Sequence, residues 1–372
     1  MKHIRKKEKP LIVLTAGGTG GHVYPAEALA EELLKRGYRL ALITDNRGKN
    51  NYKGRLGEIP NYAVYAGALV GKSRWFKIKS LFKTCVGIMQ AGVFMLKNRP
   101  ACVVGFGGYA SFPAAMAAIL LGRDLVIHEQ NAVMSRTNRF LSKYAELTAQ
   151  SFRNVKYAPK NGRQAVTGMP VRQSIALLAG HDYPERTAAQ KFQLMVLGGS
   201  QGAKVFAEVI PQAVAELPES QQKKLRIFQQ CRDCDVKSLQ EAYAATKAEV
   251  TVSHFFGNMD ELYAGTHLII SRAGASSVSE IAVAGVPSIL VPLPIAADDH
   301  QTQNAAEINK AGAGIVLKQK DFTVQKLKEL LEDFIKNPKE LKKMSDKAHK
   351  VGIKNAAERL ADAIEKEISV KW

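Results

Sequence analysis

Apolar and polar positions in the first half of the chain alternate between a strand period and a helix period. Short apolar runs predict strands at 11–15, 39–44, 101–104 and 125–128. Amphipathic segments predict helices at 23–36, 113–121 and 136–143. This alternation is typical of a parallel, doubly wound α/β sheet, which binds ligands at the carboxyl ends of its strands.

The same alternation returns in the second half. Apolar runs predict further strands at 193–197, 225–229, 250–253, 268–271 and 288–291. Helical patterns occur at 203–217, 278–284 and 301–311, and a charged helical tail begins near residue 324. Glycine and proline at 167–172 interrupt both patterns, so we expect the chain to cross between two domains there.

Each half contains a glycine cluster directly after an apolar run. Residues 17–22 read Gly-Gly-Thr-Gly-Gly-His, and residues 198–203 read Gly-Gly-Ser-Gln-Gly-Ala. In a unit of strand, glycine turn and helix start, the backbone can approach a ligand and free N–H groups attract phosphate. Two such units predict two similar α/β halves with a cleft between them.

Composition narrows the class of protein. A net charge of +19 on 372 residues predicts an anionic partner, such as nucleic acid, anionic lipid or a phosphorylated substrate. Four cysteines make no disulfide framework and fit a reducing cytoplasm. The lone pair Cys231 and Cys234 lacks the second pair of a zinc site. The apolar stretch at 11–16 is too short for a signal peptide, and 84–96 is too short to span a bilayer.

The first glycine cluster matches a dinucleotide fingerprint only in part. Counted from Gly18, Val23 stands at the third glycine position of Gly-x-Gly-x-x-Gly, although Asp45 ends the second strand where a ribose-binding acid is expected. A nicotinamide enzyme is therefore an alternative. His22 either caps the following helix or acts as a general base, because imidazole titrates near neutral pH and a helix N-terminus disfavours its cation.

A second phosphate-binding pattern occupies residues 271–280, where small residues follow a predicted strand. Glu280 lies about one turn into the helix and can either bind a ribose diol or compensate the helix dipole. Downstream, Asp298, Asp299 and His300 are consecutive, and consecutive residues rarely converge on one metal ion. We expect a polar loop there that binds sugar hydroxyls, and no metal.

Residues 70–100 contain seven basic residues and no acid. The basic residues are Lys72, Arg74, Lys77, Lys79, Lys83, Lys97 and Arg99, and the apolar residues among them include Trp75, Phe76, Ile78, Leu81 and Phe82. This mixture favours an interfacial helix on an anionic membrane. It is also compatible with binding of single-stranded nucleic acid, or with a solvated helix face above a buried stripe.

Six ordered segments together resemble the MurG family of bacterial N-acetylglucosaminyltransferases, over nearly the whole chain. The segments are 17–26, 105–109, 128–131, 168–172, 198–203 and 272–280. The resemblance implies an α/β GT-B fold, with two Rossmann-like, doubly wound domains facing across a cleft. It implies an acceptor- and membrane-facing domain at 1–168, rejoined by a C-terminal helix at about 355–372, and a UDP-GlcNAc-binding domain at 169–354.

The same resemblance implies inverting transfer of N-acetylglucosamine from UDP-GlcNAc to the muramyl 4-hydroxyl of lipid I, the undecaprenyl-linked acceptor. The product would be lipid II, for peptidoglycan. No cofactor is implied and no nucleic acid is expected. The enzyme would lie peripherally on the cytoplasmic face of the plasma membrane, with the anionic membrane surface as a partner.

The resemblance also implies roles for individual residues. His22 would be the catalytic base, although an acid of the first domain could serve instead. Glu280 would bind the ribose and Phe256 would lie near the uracil, while Gln301, with His300, would bind sugar hydroxyls. The diphosphate would be held by Ser200, Ala275, Ser276, Ser277, Val278 and Ser279. The donor site would be closed by Thr19, Gly20, Gly21, Asn131 and Arg172. The membrane patch would be Trp75, Phe76, Ile78 and Phe82.

Two positions depart from the family pattern. Members often carry glutamine where His300 stands and asparagine where Met169 stands. Another GT-B glycolipid glycosyltransferase, a UDP-sugar epimerase and a basic nucleic-acid-binding protein are the alternative functions.

Overall fold

The chain forms two compact units. Unit 1 comprises Met1–Arg172 with Asn355–Trp372, and unit 2 comprises Gln173–Lys354. The computed structural model describes residues 9–17, 20–46, 54–67, 74–184, 190–199, 202–231 and 236–369.

Unit 1 is built on a sheet of seven parallel strands in the order β3-β2-β1-β4-β5-β6-β7. The strands are β1 (Leu11–Thr15), β2 (Arg39–Thr44), β3 (Asn61–Ala63), β4 (Cys102–Gly105), β5 (Asp124–Glu129), β6 (Leu147–Gln150) and β7 (Gln164–Val166). The middle residues of the central strands β1, β4 and β5 are apolar because parallel sheets are covered on both faces.

The two faces of this sheet have separate cores. Ile12 and Leu14 belong to the core beneath helix Gly20–Lys35, whereas Val13 belongs to the core beneath helix Arg74–Asn98. Alternate residues of a strand point to opposite faces, which explains the division. The remaining helices of unit 1 are Arg55–Glu58, Phe112–Leu120, Arg136–Leu141 and Ala356–Ser369.

The helix Ala356–Ser369 follows unit 2 in the chain but completes the core of unit 1. Leu360 is fully buried in the cluster that includes β1. At the end of the first helix, Arg36 donates from Nη1 to Asp362 at 2.6 Å and to Glu365 at 2.7 Å. Apolar burial and a partly buried ion pair together attach this helix.

Unit 2 repeats the architecture with six parallel strands in the order β10-β9-β8-β11-β12-β13. The strands are β8 (Phe192–Leu197), β9 (Leu225–Gln230), β10 (Glu249–Ser253), β11 (Leu268–Ser271), β12 (Ser288–Leu290) and β13 (Gly314–Val316). The α-helices are Gln173–Ala176, Lys204–Ala215, Glu219–Gln222, Val236–Tyr243, Met259–Gly265, Ala275–Val283, His300–Ala311, Val324–Lys336 and Pro338–Val351.

Amphipathic helices cover this second sheet. In helix Val324–Lys336 the buried residues Leu327, Leu331 and Phe334 recur at helical spacing and join the core of the sheet. The Thr323 side chain accepts a hydrogen bond from the Lys326 N–H and begins that helix.

Each predicted strand matches an observed strand to within one residue at either end. The strands β3, β6, β7 and β13 were not predicted, although β4, β11 and β12, which are equally short, were predicted from their apolar runs. Two predicted helices begin three residues too late, at 23 instead of Gly20 and at 278 instead of Ala275. The first start contains two glycines and the second two serines, and both residue types favour turns and helix ends over helix interiors.

We expect Leu360→Ala to lower the free energy of unfolding of unit 1 by about 2–5 kcal/mol, because it leaves a cavity in a fully buried core. Urea unfolding followed by far-ultraviolet circular dichroism measures this. The control Leu120→Ala removes an exposed leucine of the same unit and should change stability by less than about 0.5 kcal/mol. Equal losses for the two variants would contradict the assigned role of the C-terminal helix.

Candidate active site

Each sheet reverses its strand order at one point, between β1 and β4 in unit 1 and between β8 and β11 in unit 2. In doubly wound sheets ligands bind in the crevice at such a switch point. The two glycine clusters follow β1 and β8, and the segments 105–109 and 272–280 include or follow the ends of β4 and β11. The motifs therefore lie at the switch point of each sheet.

In unit 1, glycines let two loops pack backbone against backbone. The Gly17 N–H donates to the Gly107 carbonyl at 3.1 Å. A Cβ added to Gly108 would lie 3.0 Å from the Gly17 Cα, and Gly108 has a φ of +78°. Glycine is the residue that accepts both this φ and this approach without strain. The same added Cβ would lie 3.3 Å from His22 Cδ2, so the imidazole packs on the paired loops.

His22 is the third residue of helix Gly20–Lys35 and is partly buried. Burial lowers the pKa of His22, while the Phe106 carbonyl and the Gln130 side chain act on it as hydrogen-bond acceptors and oppose that change. Its Nδ1 atom is buried, and neither acceptor reaches standard hydrogen-bond geometry in the described structure. A neutral imidazole in a strand-end crevice has the protonation state that a general base requires.

Gln130 was not singled out from the sequence, although it lies in the 128–131 segment. Its side chain is 3% exposed, and Nε2 donates to the Phe106 carbonyl at 2.5 Å. This bond ties the loop after β5 to the loop after β4. A Cβ added to Gly107 would lie 3.5 Å from both Gln130 Oε1 and His22 Nδ1, so these two atoms border one small space.

His128 lies inside β5 and is fully buried. Its Nε2 is 3.0 Å from the Gly168 carbonyl, which can only accept, so Nε2 carries the proton. Burial lowers the pKa of His128 to about 4, and the neighbouring His22 lowers it slightly further. His128 is therefore neutral near pH 7 and connects β5 with the segment at 168–172.

Glu129 organises the loop that follows β5. Its two carboxylate oxygens accept hydrogen bonds from the Asn131 and Ser135 N–H groups and from the Asn138 side chain, at 2.8–3.0 Å. Burial raises the pKa of Glu129, and these donors oppose the change. Because both oxygens are engaged, this acid of unit 1 is poorly placed to replace His22 as the base.

The remaining unit 1 residues lie near the same helix start. Asn131 is partly buried and is held by its N–H bond to Glu129. The Arg172 guanidinium lies 5.1 Å from the centroid of the Tyr24 ring, and a Cβ added to Gly20 would lie 3.1 Å from that ring. Gly21 is exposed. Thr19 lies outside the described residues.

In unit 2, the loop after β8 is also shaped by glycines. Gly199 and Gly202 have φ values of +74° and +67°, and the Gly202 N–H donates to the Gly199 carbonyl at 3.0 Å. A Cβ on Gly198 would lie 2.7 Å from the Ala203 N. Glycine is therefore required at three places in this turn. Ser200, together with Gln201, lies outside the described residues.

Helix Ala275–Val283 begins at Gly274 without a side-chain cap or an acidic residue in its first turn. The Val278 N–H donates to the Gly274 carbonyl at 3.0 Å, and its side chain is buried. The amides free to bind a phosphate are thus those of Ala275, Ser276 and Ser277, which precede the first helical bond. Ser279 is partly buried on the next turn.

Arg272, three residues before this helix in the chain, is a buried cation. It is 7% exposed, and its guanidinium donates to the carbonyls of Val291 and Pro292 and to Gln319 Oε1. Within the described residues it forms no ion pair, its Nε has no partner, and burial lowers its pKa. The Arg272 N–H donates to the Leu197 carbonyl at 3.2 Å, which sets it next to the glycine turn.

The predicted nucleoside contacts have well-defined positions. Glu280 is 7% exposed, and its Oε2 accepts a hydrogen bond from the Tyr263 hydroxyl at 3.4 Å. The Phe256 side chain is buried and packs edge-on against Phe228, with centroids 6.0 Å apart. The neighbouring Phe255 is exposed and was not predicted.

The loop before helix His300–Ala311 is strained. Asp298 and Asp299 both have positive φ, of 52° and 53°, a conformation that non-glycine residues rarely adopt. Gln301 Oε1 accepts the Leu293 N–H at 2.9 Å, and His300 Nδ1 lies 2.8 Å from the Ala297 carbonyl. Gln301 Nε2 and His300 Nε2 keep the remaining hydrogen-bonding capacity. Across the described chain, no group of three or more His, Cys, Asp or Glu residues could hold a metal ion.

Helix Arg74–Asn98 has one face in the core and one in solvent. Trp75 and Phe82 are 81% and 69% exposed, and Phe76 and Ile78 are also exposed. Leu81, which the sequence analysis counted among the apolar residues of this segment, is exposed as well, and exposed apolar side chains that it did not name continue along the helix at Met89, Val93 and Leu96. None of the described helices is long and apolar enough to cross a membrane.

Two family models together match most of the chain. Residues 12–150 match the glycosyltransferase family 28 N-terminal domain, and residues 193–360 match the glycosyltransferase family 28 C-terminal domain.

Relatives with one shared name match from end to end. A protein of Paramagnetospirillum magneticum is 45% identical over 96% of both chains, and one of Rhodospirillum rubrum is 43% identical over 95% of this chain and 91% of that one. Each is named UDP-N-acetylglucosamine--N-acetylmuramyl-(pentapeptide) pyrophosphoryl-undecaprenol N-acetylglucosamine transferase.

Comparison with solved structures agrees with the family models and the named relatives. The crystal structure of Acinetobacter baumannii MurG superposes with a TM-score of 0.77 at 33% identity, covering 96% of this chain and 99% of that one. A UDP-GlcNAc 2-epimerase from Neisseria meningitidis, at 15% identity, has a TM-score of 0.68 over 95% of this chain and 100% of that one and shares the fold alone. The two parallel-sheet units and these matches confirm the predicted GT-B fold class and the family resemblance.

We expect the stability of unit 1 to fall as the pH is lowered from 7 to 5, with His128 as one cause. The pKa of this residue is about 4 in the folded state and 6.5 ordinarily, so the unfolded chain binds the proton more readily. Its stabilisation is complete above about pH 6.5 and is lost as the pH falls toward 4.

The variant His128→Gln removes the titration but can still donate to the Gly168 carbonyl. Its loss of unfolding free energy between pH 7 and pH 5 should be smaller than that of the wild type by about 2 kcal/mol, at 1.36 kcal/mol per pKa unit. Urea unfolding at both pH values measures the difference, and parallel pH dependences would contradict a buried neutral His128.

Proposed function

The chain belongs to glycosyltransferase family 28, and from that premise we propose that it transfers N-acetylglucosamine from UDP-GlcNAc to the muramyl 4-hydroxyl of lipid I, forming lipid II. The end-to-end match to relatives named for this transfer is the observation that carries the proposal. The switch-point geometry of both units supports it, because each offers the groups that one half of the reaction needs.

Unit 2 binds the donor. The amides of Ala275, Ser276 and Ser277 and the nearby Arg272 cation provide positive potential for a diphosphate. Ser200, in the glycine turn after β8, adds a hydroxyl to the same role. These groups are fixed before substrate arrives, so stabilising the charge on the departing UDP needs little reorganisation.

The sugar and nucleoside contacts follow from the same helix. Glu280 lies one turn beyond the phosphate amides and accepts hydrogen bonds from the ribose hydroxyls, with Tyr263 orienting its carboxylate. Gln301 and His300 bind sugar hydroxyls. Because the Phe256 side chain packs inward against Phe228, the uracil contacts the backbone of Phe256 rather than its ring face.

Unit 1 binds the acceptor and supplies the base. His22 takes the proton of the muramyl 4-hydroxyl on Nε2, and the oxygen attacks the anomeric carbon from the face opposite UDP. One bond forms as the bond to the diphosphate oxygen breaks, so the configuration inverts from α to β. Thr19, Gly20, Gly21, Asn131 and Arg172 complete the donor contacts.

Helix Arg74–Asn98 binds the anionic cytoplasmic face of the plasma membrane, where a lipid-linked acceptor is found. Exposed Trp75, Phe76, Ile78 and Phe82 insert into the headgroup region, while Lys77, Lys79 and Lys83 attract anionic lipids. The charge of +19 adds long-range attraction. The protein is therefore peripheral, held by one helix face.

We expect His22→Ala to lower kcat by roughly 10²–10⁴-fold, the usual contribution of a general base, while UDP affinity by calorimetry stays within about twofold. Transfer of labelled GlcNAc to lipid I in detergent measures kcat. The control His181→Ala removes an exposed histidine of unit 2 and should retain full activity.

A near-normal rate for His22→Ala would show that another group is the base. Conversion of UDP-GlcNAc without acceptor would identify an epimerase, and the absence of any UDP binding would refute the donor site itself.

We expect the triple variant Trp75→Ala/Phe76→Ala/Phe82→Ala to bind vesicles containing phosphatidylglycerol at least about tenfold more weakly. A loss of 1.4 kcal/mol corresponds to tenfold, and burial of each ring contributes on that order. Vesicle sedimentation measures binding. The control Leu177→Ala/Phe255→Ala/Ile295→Ala removes three exposed apolar residues of unit 2 and should bind like wild type. Equal binding by both triple variants would exclude this helix as the anchor.

A further inference from the structure

We propose that Gln130 is a positioning residue that fixes the tautomer of His22, with the proton on Nδ1 and the lone pair on Nε2. The inference rests on the proposed role of His22 as base. Only this tautomer presents an unprotonated Nε2 for the acceptor hydroxyl, and nothing in the residue type of His22 selects it.

The orientation of the Gln130 amide is fixed by its partner. Its Nε2 lies 2.5 Å from the Phe106 carbonyl, which can only accept, so the nitrogen of the amide must face that carbonyl. The amide oxygen, Oε1, must then face the other way. The side chain is 3% exposed and is therefore held in this orientation by its surroundings.

Oε1 and the imidazole border one space. A Cβ added to Gly107 would lie 3.5 Å from Gln130 Oε1, 3.5 Å from His22 Nδ1 and 3.4 Å from His22 Cε1. Gly107 has a φ of +83°, and its missing side chain leaves room for both groups. Nδ1 is buried and has no partner at standard hydrogen-bond geometry in the described structure, and the acceptors that act on the ring are the Phe106 carbonyl and the Gln130 side chain. An acceptor next to a buried ring nitrogen favours the tautomer with the proton on that nitrogen.

Electrostatics agree with this geometry. Burial has the largest effect and lowers the pKa of His22, whereas the Phe106 carbonyl and then the Gln130 side chain raise it, which is the sign expected of acceptors. His128 is the titratable neighbour that interacts with His22, and it is neutral near pH 7. A neutral amide therefore orients the imidazole without the added negative charge that would keep it protonated.

The site achieves this arrangement with three loops. His22 comes from the helix after β1, the Phe106 carbonyl and Gly107 from the loop after β4, and Gln130 from the loop after β5. The Gln130 to Phe106 bond joins two of them directly. A glutamine in this place thus has a function that packing alone does not require, since a methionine would fill the same volume.

The test compares wild type with full-length Gln130→Met, which keeps the size of the side chain but removes the hydrogen bond to Phe106 and the acceptor oxygen beside His22. We expect kcat for GlcNAc transfer to fall by about 10- to 100-fold, with the KM for UDP-GlcNAc within about twofold. In ¹⁵N-histidine-labelled protein, two-bond ¹⁵N–¹H correlations should show the Nδ1–H tautomer of His22 in wild type and a mixture in the variant. The resonances are assigned by their loss in His22→Ala.

The matched control is Gln150→Met. Gln150 is also a buried glutamine at the end of a strand, but its Nε2 donates to Gln164 Oε1 at 2.8 Å. We expect this variant to keep the wild-type tautomer and kcat. If the loss of a buried amide acted only through structure, kcat would fall by a similar factor in Gln130→Met and Gln150→Met. That result would contradict the proposal.

A second variant, Gln130→Glu, has the size of glutamine and tests the same contact by charge. A carboxylate beside Nδ1 stabilises the imidazolium, so the acidic limb of kcat against pH should move to higher pH. If Gln130→Met does not fold, the pH profile of Gln130→Glu decides, and an unmoved limb overturns the proposal.

The outcomes separate the two assignments. An unchanged tautomer in Gln130→Met contradicts the role of Gln130. A changed tautomer with unchanged kcat contradicts the role of His22 as base, and it leaves the positioning of the imidazole established.

Discussion

Parallel strand order is the constraint on which the rest of this structure depends. When all strands of a sheet run in one direction, the loops that carry chemistry leave from the same edge. The reversal of order at β1/β4 and at β8/β11 then opens a crevice at that edge in each unit. Glycine is needed where two loops meet in this crevice, as the 3.0 Å approach of an added Gly108 Cβ to Gly17 illustrates. The motifs are conspicuous in the sequence because this geometry tolerates few other residues.

Burial has a different electrostatic result in each unit: neutral histidines in unit 1 and a buried arginine in unit 2. In unit 1, burial lowers the pKa values of His22 and His128, so the crevice contains neutral imidazoles. In unit 2, a buried arginine without an acidic partner in the described chain lies beside uncapped helix amides. A neutral base suits proton abstraction from a hydroxyl, and a positive cradle suits a departing diphosphate. The proposed division of roles between the units follows from these charges: unit 1 contains neutral imidazoles, and unit 2 contains a cation and helix amides without acidic partners among the described residues.

The helix Arg74–Asn98 packs one face into the core of unit 1 and exposes apolar side chains on its other faces. Phe94 and Met95 are buried against the sheet, while Trp75, Ile78 and Phe82 on other faces remain in solvent. Exposing so much apolar surface is unfavourable in water, and lysines on the same helix keep it soluble. The packing of the inner helix face against the first sheet offsets the unfavourable exposure of apolar side chains on the outer face.

The sequence by itself determined the α/β class, nine of the thirteen described strands, the glycine turns and the family, because each rests on local periodicity or on residues that no other type can replace. It could not supply the short strands β3 and β7, whose few residues pair only because neighbouring strands are already in place. Nor could the sequence tell which residues of a motif are engaged in internal hydrogen bonds and which remain available to a substrate. Tertiary structure decided that Glu129 is occupied by three donors, that the Val278 amide is bonded to Gly274, and that Gln130 faces His22. These are contacts between loops distant in sequence, and their geometry exists only once the sheet has brought the loops together.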